Sequence, residues 1–301
     1  KFASIDEAYV DITGSVHLFG GEDALAEYVK RGIRYDIGLP STVGIASNKL
    51  VAKIATNQAK PDGYLRIPEG EEARFMRPLP ISRLPGMGPR TSEMMESLGI
   101  MTIGALADLP TEMLMTVFGT QGYLLQRAAR GESSSEVVPV HVPKSISRET
   151  TFEEDLLDWG RIEQTLIYLA ERAGYALREQ GMEARCISLK VRYADFETCT
   201  FAHSCREATC VDSEIIRVLH TLLPKAQKRR VRVRLVGVGL SSLRYYLPQL
   251  CLFGREQSEK WMRVLEKVDR IRDRHGFELI RTASSMGLGR RVRLATPSLS
   301  R

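Results

Sequence analysis

The chain has 301 residues, 43% of them hydrophobic and 27% charged, and its formal net charge of +6 favours an anionic partner such as nucleic acid. Its length favours more than one domain, no apolar run is long enough to span a membrane, and no signal peptide is visible at the N-terminus. The five scattered cysteines contain no CxxC pair, so we expect reduced thiols in a cytoplasmic protein rather than a disulfide framework or a zinc site.

Residues 1–67 mix predicted strands and helices. FASIDEAYVDIT predicts a strand, a turn and a strand, and an amphipathic helix is predicted over residues 22–38. STVGIASN predicts a buried strand, and KLVAKIATNQAK predicts a helix that Pro61 and Gly63 end. This alternation indicates a mixed α/β region.

Two adjacent carboxylates, Asp6 and Glu7, stand out in the first of these segments. On a regular strand their side chains would point to opposite faces, so they converge only if the backbone bends between them. Two converging carboxylates need a proton or a cation between them. We therefore expect a bend and a metal site here, with a solvated turn as the alternative.

Three lysines follow on the predicted helix and at its exit: Lys49, Lys53 and Lys60. Lys49 and Lys53 are four residues apart and share a helix face. A lysine beside a carboxylate-bound metal suits a triphosphate substrate, because it neutralises oxygens that the metal does not reach. The alternative is a solvated basic face.

Residues 68–135 are predicted to form short helices joined by Gly and Pro turns. In LPGMGPRTSEMMESLG, Gly86 and Gly88 lie between two helical patterns, the second of which begins near Pro89 and carries Arg90. Glycines allow a close approach of the backbone, and a helix N-terminus favours an anion. This is the pattern of a helix-hairpin-helix, which grips a DNA phosphate; a plain tight turn is the alternative. Residues 117–131 have the form of a degenerate second copy.

Residues 136–146 contain two prolines and no helix signal, which predicts a linker. Residues 147–243 then give the order βαββαβ, with the strands and helices predicted as follows. They are a strand around SRETTFEED, a helix over 161–180, strands in ARCISLKVRYAD and ETCTFAHSCREA, a helix over 212–223 and a strand over 229–243.

The last of these strands is rich in arginine. Arg230, Arg232 and Arg234 alternate with apolar residues, so period two predicts that they share one sheet face. Like charges in a row repel one another, and a phosphate backbone supplies the missing counter-anion. The alternative is an edge strand that its charges protect from aggregation.

Residues 244–301 are predicted to form a tail with one helix over about 257–274. Ahead of that helix lies QLCLF, in which a glutamine precedes apolar residues that suit a pocket. Its candidate contact residues are Gln249, Leu250, Leu252 and Phe253. The alternative is a tail strand that packs on its own domain.

SIDEAYVDIT, SNKLVAKIATNQAKPDG, LPGMG and SISRETTFEED occur in this order and at these spacings in Y-family DNA polymerases, which the chain resembles over residues 1–253. The resemblance implies an α+β multidomain fold. Its parts would be a partial palm of α/β sandwich type (1–67), an all-helical helix-hairpin-helix thumb (68–135), a linker (136–146), a βαββαβ little finger (147–243) and a C-terminal tail with a clamp-binding peptide (244–301).

The resemblance also implies template-directed DNA synthesis past damaged bases, of low fidelity and without proofreading. Asp6 and Glu7 would bind two Mg²⁺ ions, and Lys60 would contact the triphosphate of the incoming dNTP. QLCLF resembles the peptide that binds the sliding clamp (beta subunit), and we expect a monomer on primer-template DNA without membrane contact. The implied DNA-binding residues are Gly86, Gly88, Arg90, Arg148, Arg230, Arg232 and Arg234.

One departure from the family pattern matters for activity. Family members begin with a strand that carries a further metal-binding aspartate in D-x-D-x-F-[FY]-x-x-V-E, followed by the fingers, and nothing in this sequence matches either. Since a two-metal mechanism needs carboxylates on both sides of the metal pair, we expect this chain to be inactive although the intact protein would polymerise. The open alternatives are a non-catalytic relative that serves as a DNA- and clamp-binding adaptor, and a repair nuclease with a borrowed helix-hairpin-helix.

Overall fold

The computed structural model describes residues 3–4, 6–134, 136–138, 142–246 and 256–286. The contacts divide the chain into two compact units, residues 1–141 and 142–301, and this division falls within the predicted linker. No described helix is both long enough and apolar enough to cross a membrane.

The first unit combines a small parallel sheet with helices. Its elements are α1 (Glu22–Ile37), β1 (Val43–Ile45), α2 (Lys49–Ala59), β2 (Tyr64–Arg66), α3 (Glu72–Met76), α4 (Pro89–Ser97), α5 (Ile103–Ala107), α6 (Thr111–Phe118) and α7 (Thr120–Ala129), with 3₁₀ turns at Val16–Phe19 and Ile81–Arg83. Strands β1 and β2 pair in parallel, with Val43 opposite Tyr64, and α2 connects them. One apolar core runs from α2 to α7, so the predicted palm and thumb segments share it.

Helix α2 is fixed at its start and along one side. The Asn48 side chain caps it by accepting a hydrogen bond from the Val51 N–H at 3.1 Å. Val51, Ile54 and Ala55 are buried in the core. Gly44 of β1 allows the close approach of strand and helix, because a Cβ there would overlap the Ala52 carbonyl oxygen. The helix therefore holds its lysines at fixed positions relative to the sheet.

Of the strand, turn and strand predicted over residues 2–13, the described residues form the turn but neither strand. Among the described residues of this segment only Ala8 has a strand-like bridge, and the rest form bends and irregular chain. A local hydrogen bond explains part of the difference, since the Ala3 N–H donates to the Glu7 carbonyl at 2.8 Å and closes a turn. Such a turn is incompatible with an extended strand through these residues.

The second unit has the predicted βαββαβ order. Its elements are β3 (Ser145–Leu156), α8 (Trp159–Glu179), β4 (Met182–Tyr193), β5 (Thr198–Thr209), α9 (Asp212–Gln227), β6 (Val233–Tyr245) and α10 (Glu256–His275). The strands form an antiparallel sheet in the order β3-β6-β4-β5. Residues such as Leu189, Val191, Val236 and Val238 point from one face of this sheet into a core shared with α8 and α9. We call the opposite side the open face.

The last strand begins later than predicted, at Val233 instead of Arg229. Arg230 and Arg232 precede it, so the predicted row of three arginines on one strand face is wrong. The physical reason is a shift in the β4–β6 register between Arg192 and Tyr193. A bulge of this kind ends regular pairing, and the alternation of faces no longer extends to earlier residues.

The described part of the tail folds onto the second unit. Helix α10 matches the predicted helix closely, and Phe277 beyond it joins the core of the sheet and helices. Arg178 of α8 donates to Asp269 of α10 at 2.6 Å. The tail therefore contributes to the unit, and it is more than the appendage that composition suggested.

Candidate active site and nucleic-acid surface

A tight turn carries Asp6 and Glu7. The Ala3 and Ser4 N–H groups both donate to the Glu7 carbonyl, and the Ser4 hydroxyl donates to Asp6 Oδ1 at 2.6 Å. The bond from the Ser4 hydroxyl and one from the Asp6 backbone, with smaller contributions from Lys60 and Lys53, hold the pKa of the Asp6 carboxyl below its usual range. The structure thus contains the bend that the paired carboxylates require.

Helix α2 brings two ammonium groups to this turn. Lys53 Nζ forms an ion pair with Glu7 Oε1, and both side chains are partly exposed. Lys60 lies exposed at the end of the helix, where its charge reaches Asp6. Glu7 is thus paired with Lys53, and Asp6 lies within the electrostatic influence of Lys60 and Lys53. We call these four residues the acid–lysine cluster. The sequence pattern placed Lys53 on a helix face but gave no indication that it pairs with Glu7.

Helix α1 holds the loop that follows Lys60. Lys30 Nζ donates to the backbone carbonyl oxygens of Asp62 at 2.5 Å and Gly63 at 3.2 Å. Arg34 forms an ion pair with the Asp62 carboxylate at 2.8 Å. These contacts fix the exit of α2, and with it the backbone position of Lys60.

The oxygen ligands of the acid–lysine cluster suit Mg²⁺, which binds one or two carboxylates together with waters and substrate phosphates. Asp6 and Glu7 therefore fit an ion that a triphosphate shares. Within the described ranges no group of three or more acidic, histidine or cysteine side chains gathers as a metal site.

The glycine hairpin is exposed as predicted. Gly86 has a φ of +92° and Gly88 caps α4, with its carbonyl accepting from the Ser92 N–H at 2.9 Å. Apart from the adjacent residues, no atom of the described chain lies within 4 Å of a Cβ built on either glycine, so the backbone is open to a ligand. Arg90 is exposed in the first turn of α4. The element before the hairpin is a single 3₁₀ turn, shorter than the predicted helix.

The open face of the second unit carries mostly small and polar side chains. Directly opposite residues of antiparallel strands share a face, so the register defines rows across the sheet. From β3 through β6 and β4 to β5 the rows are Ser145, Ser241, Cys186 and Ser204; Ser147, Gly239, Ser188 and Ala202; Glu149, Gly237, Lys190 and Thr200; and Thr151, Leu235, Arg192 and Thr198. Small and hydroxyl side chains dominate, which leaves the backbone accessible to a large ligand.

The predicted arginines lie in different surroundings. Arg230 and Arg232 are exposed before β6 and form no ion pair with any described residue. Arg234 lies 3.7 Å from Asp155 and stacks on the Phe196 ring, so its charge is partly satisfied. Arg148 lies opposite Val238 and is therefore on the helix-covered face, where burial lowers its pKa.

Two cationic residues of the open face, Lys190 and Arg192, are not among the DNA-binding residues that the sequence predicts. The alternation of Ser188, Lys190 and Arg192 with Leu189 and Val191 was the available signal, and it indicates a polar strand face. Residues Gln249, Leu250, Leu252 and Phe253 lie outside the described residues, so the structure does not address the clamp peptide.

Comparison with known proteins gives consistent matches along the chain. The impB/mucB/samB family matches residues 1–57, the IMS family HHH motif matches 69–100, and the impB/mucB/samB family C-terminal domain matches 143–249. DNA polymerase IV of Dehalococcoides mccartyi is 37% identical over 285 residues, which cover 94% of this chain and 73% of the relative. DNA polymerase IV of Desulfatibacillum aliphaticivorans is 35% identical, with 93% and 72% covered.

Solved structures agree in fold. A Y-family DNA polymerase chimera, Dbh-Dpo4(243-245)-Dbh, superposes with a TM-score of 0.68 at 24% identity and covers 82% of this chain and 71% of its own. The insertion ternary complex of Dbh DNA polymerase has a TM-score of 0.54 at 24% identity, with 81% and 70% covered.

Proposed function

Because the chain belongs to the Y-family of DNA-directed DNA polymerases, the impB/mucB/samB family, we propose that the acid–lysine cluster is the nucleotide end of a translesion polymerase site. The observation that supports this proposal is the turn that carries Asp6 and Glu7, with Glu7 paired to Lys53 of α2 and with Lys60 at the end of the same helix. Such a group matches the charge of a metal-bound triphosphate.

The residues of the cluster would divide the work of nucleotidyl transfer. Asp6 and Glu7 would hold Mg²⁺, with Asp6 on the triphosphate side and Glu7 toward the primer end. Bound Mg²⁺ supplies charge neutralisation and lowers the pKa of the primer 3′-hydroxyl. Lys60 would offset charge on the leaving pyrophosphate, since it stands exposed at the end of α2 and forms no ion pair with any described residue. Lys53 would hold Glu7 in place before the substrate arrives.

Substitution of the two carboxylates tests this assignment. Asp6→Asn and Glu7→Gln should each weaken Mg²⁺-dependent binding of a fluorescent dNTP by more than about tenfold, since even the partners of metal ligands contribute that much. Asp11→Asn is the matched control, because Asp11 is an exposed acid on the same segment that bonds only locally, to the Thr13 N–H. Equal binding by all variants would contradict the assignment.

The same preparation should bind nucleotide without extending a primer. The described residues supply two carboxylates at the cluster, and the two-metal mechanism requires acids on both sides of the metal pair. Clear nucleotide incorporation by the 301-residue chain would contradict its inactivity, and it would also remove the reason to consider a non-catalytic adaptor.

Two surfaces would hold primer-template DNA. The hairpin of Gly86 and Gly88 offers open backbone at the start of α4, where a phosphate is favoured. The open face offers Lys190 and Arg192, with Arg230 and Arg232 close to the start of β6 in sequence. Contacts to phosphates carry no sequence information, which suits synthesis past damaged bases. We expect the chain to act as a monomer. The free thiols among the described cysteines are in keeping with a cytoplasmic location.

The peptide Gln249–Phe253 would bind the sliding clamp. Its glutamine and apolar residues suit an extended segment that fills a pocket. Replacement of Gln249, Leu252 and Phe253 by Ala should abolish co-elution with the clamp and leave DNA binding intact. Unchanged co-elution would exclude this role.

A further inference from the structure

An ion pair crosses the middle of the open face. Glu149 of β3 and Lys190 of β4 both lie opposite Gly237 of β6, so the three residues form one row on one face. Lys190 Nζ donates to Glu149 Oε2 at 2.7 Å. The two charged residues are two strands apart, about 10 Å between backbones, and their side chains reach across the central strand to meet.

Gly237 makes this crossing possible. A Cβ at that position would lie 2.9 Å from the Glu149 Cβ, which is too close for two carbons, so a side chain at position 237 would force Glu149 to shift. Val236 and Val238 on either side point into the core, which confirms that position 237 faces outward. Because Gly237 has no side chain, the Glu149 and Lys190 side chains have room to meet above β6.

The ion pair changes the charge that the open face presents. Glu149 and Lys190 are each about one-third exposed, so a ligand on this face would meet both. Arg192 lies in the adjacent row and uses its Nε–H to bond the Thr198 hydroxyl at 2.8 Å, which leaves its other donors available. Glu149 thus neutralises the one lysine that stands at the centre of the face.

We propose that Glu149 limits the affinity of this face for DNA by occupying, at Lys190 Nζ, the place of a phosphate oxygen. The inference rests on the proposed function, in which the open face holds the DNA backbone. A neutral pair contributes little to phosphate binding, whereas a free lysine would add one charge-assisted contact. Glu149 therefore competes with DNA phosphates for Lys190. This competition weakens DNA binding and allows DNA to move across the sheet.

Salt-dependent DNA binding by the 301-residue chain tests the proposal. Fluorescence anisotropy with a labelled primer-template duplex should show Glu149→Gln binding roughly eightfold more tightly at about 0.1 M salt, with the slope of log affinity against log salt steeper by about 0.9, the value for one added phosphate contact. Lys190→Gln should weaken binding, because it leaves Glu149 unopposed. The double variant should return the slope to that of the unaltered chain.

Glu266→Gln is the matched control. It also removes a carboxylate from an exposed ion pair, with Arg270 on α10, and α10 packs against the helix side of the unit. It should leave affinity and slope unchanged. An effect of Glu266→Gln as large as that of Glu149→Gln would mean that the change in net charge alone explains the tighter DNA binding, and it would overturn the proposal.

Further arginine variants distinguish the role of Glu149 from the role of the open face in DNA binding. Glu149→Gln binding no more tightly, while Arg192→Gln and Arg230→Gln weaken binding, would overturn the role of Glu149 and keep the open face as the DNA surface. No change in Glu149→Gln, Lys190→Gln, Arg192→Gln and Arg230→Gln would remove the DNA surface itself.

Discussion

The two units of the molecule use clustered charges in opposite ways. In the first unit the acid–lysine cluster lies near the surface, and its Glu7–Lys53 ion pair is partly exposed on both sides. In the second unit a larger group of charges is buried between α8, α9 and the tail. Its members, which we call the buried network, are Glu171, Arg178, Asp212, Asp269 and Arg272.

The buried network leaves little bonding capacity for a ligand. Arg178 donates to Asp212 Oδ1 at 2.6 Å, to Asp269 Oδ2 at 2.6 Å and to the Cys210 carbonyl at 2.7 Å. Glu171 accepts from the Thr282 N–H at 2.9 Å. Each charge is met by the protein itself, as burial requires. The difference teaches that carboxylates and cations that are enclosed bond to one another and stabilise the fold, whereas exposed ones keep bonding positions open to solvent.

The largest expected effect comes from removing the centre of the buried network. Arg178→Met would leave Asp212 and Asp269 buried with one cation fewer, and loss of one partner from a buried pair costs about 3–5 kcal/mol. Both tryptophans, Trp159 and Trp261, lie in residues 142–301, so their fluorescence in a urea titration reports the free energy of unfolding of this unit.

Arg161→Met on the same helix α8 is the control, because Arg161 is exposed and its side chain makes no ion pair within the described chain. It should change the free energy of unfolding by less than about 0.5 kcal/mol. A comparable change for both variants would mean that the buried network is no more important than the helix surface.

Local patterns predicted much of this architecture, but contacts between distant residues escaped them. Helix α2, ended by Pro61 and Gly63, and the hairpin of Gly86 and Gly88 follow from short-range signals, and the structure has both. The strand start at Val233 depends on a bulge against β4, which no period-two pattern contains.

The candidate site also combines features that local sequence predicts with contacts that it does not predict. A bend at Asp6 follows from the chemistry of adjacent carboxylates, whereas the Glu7–Lys53 ion pair joins residues 46 positions apart. The crossing of Glu149 to Lys190 needs the register of three strands, and a shift of one residue in any of them would move a member to the other face. Sequence alone gives the residue types for such contacts but not the register.

The smallest expected effect on stability comes from the exposed acid–lysine cluster. Lys53→Met removes the partner of Glu7, yet an ion pair of this exposure contributes at most about 1 kcal/mol, since water solvates the carboxylate that remains. Hydrogen exchange of the α2 amides, which measures local opening, should change by no more than that. The exposed Arg31→Met on α1 provides the reference for loss of a surface cation. A loss of several kcal/mol on Lys53→Met would place this pair with the buried network as a structural element, and the carboxylate of Glu7 would then not be free to turn from its lysine to a metal-bound nucleotide.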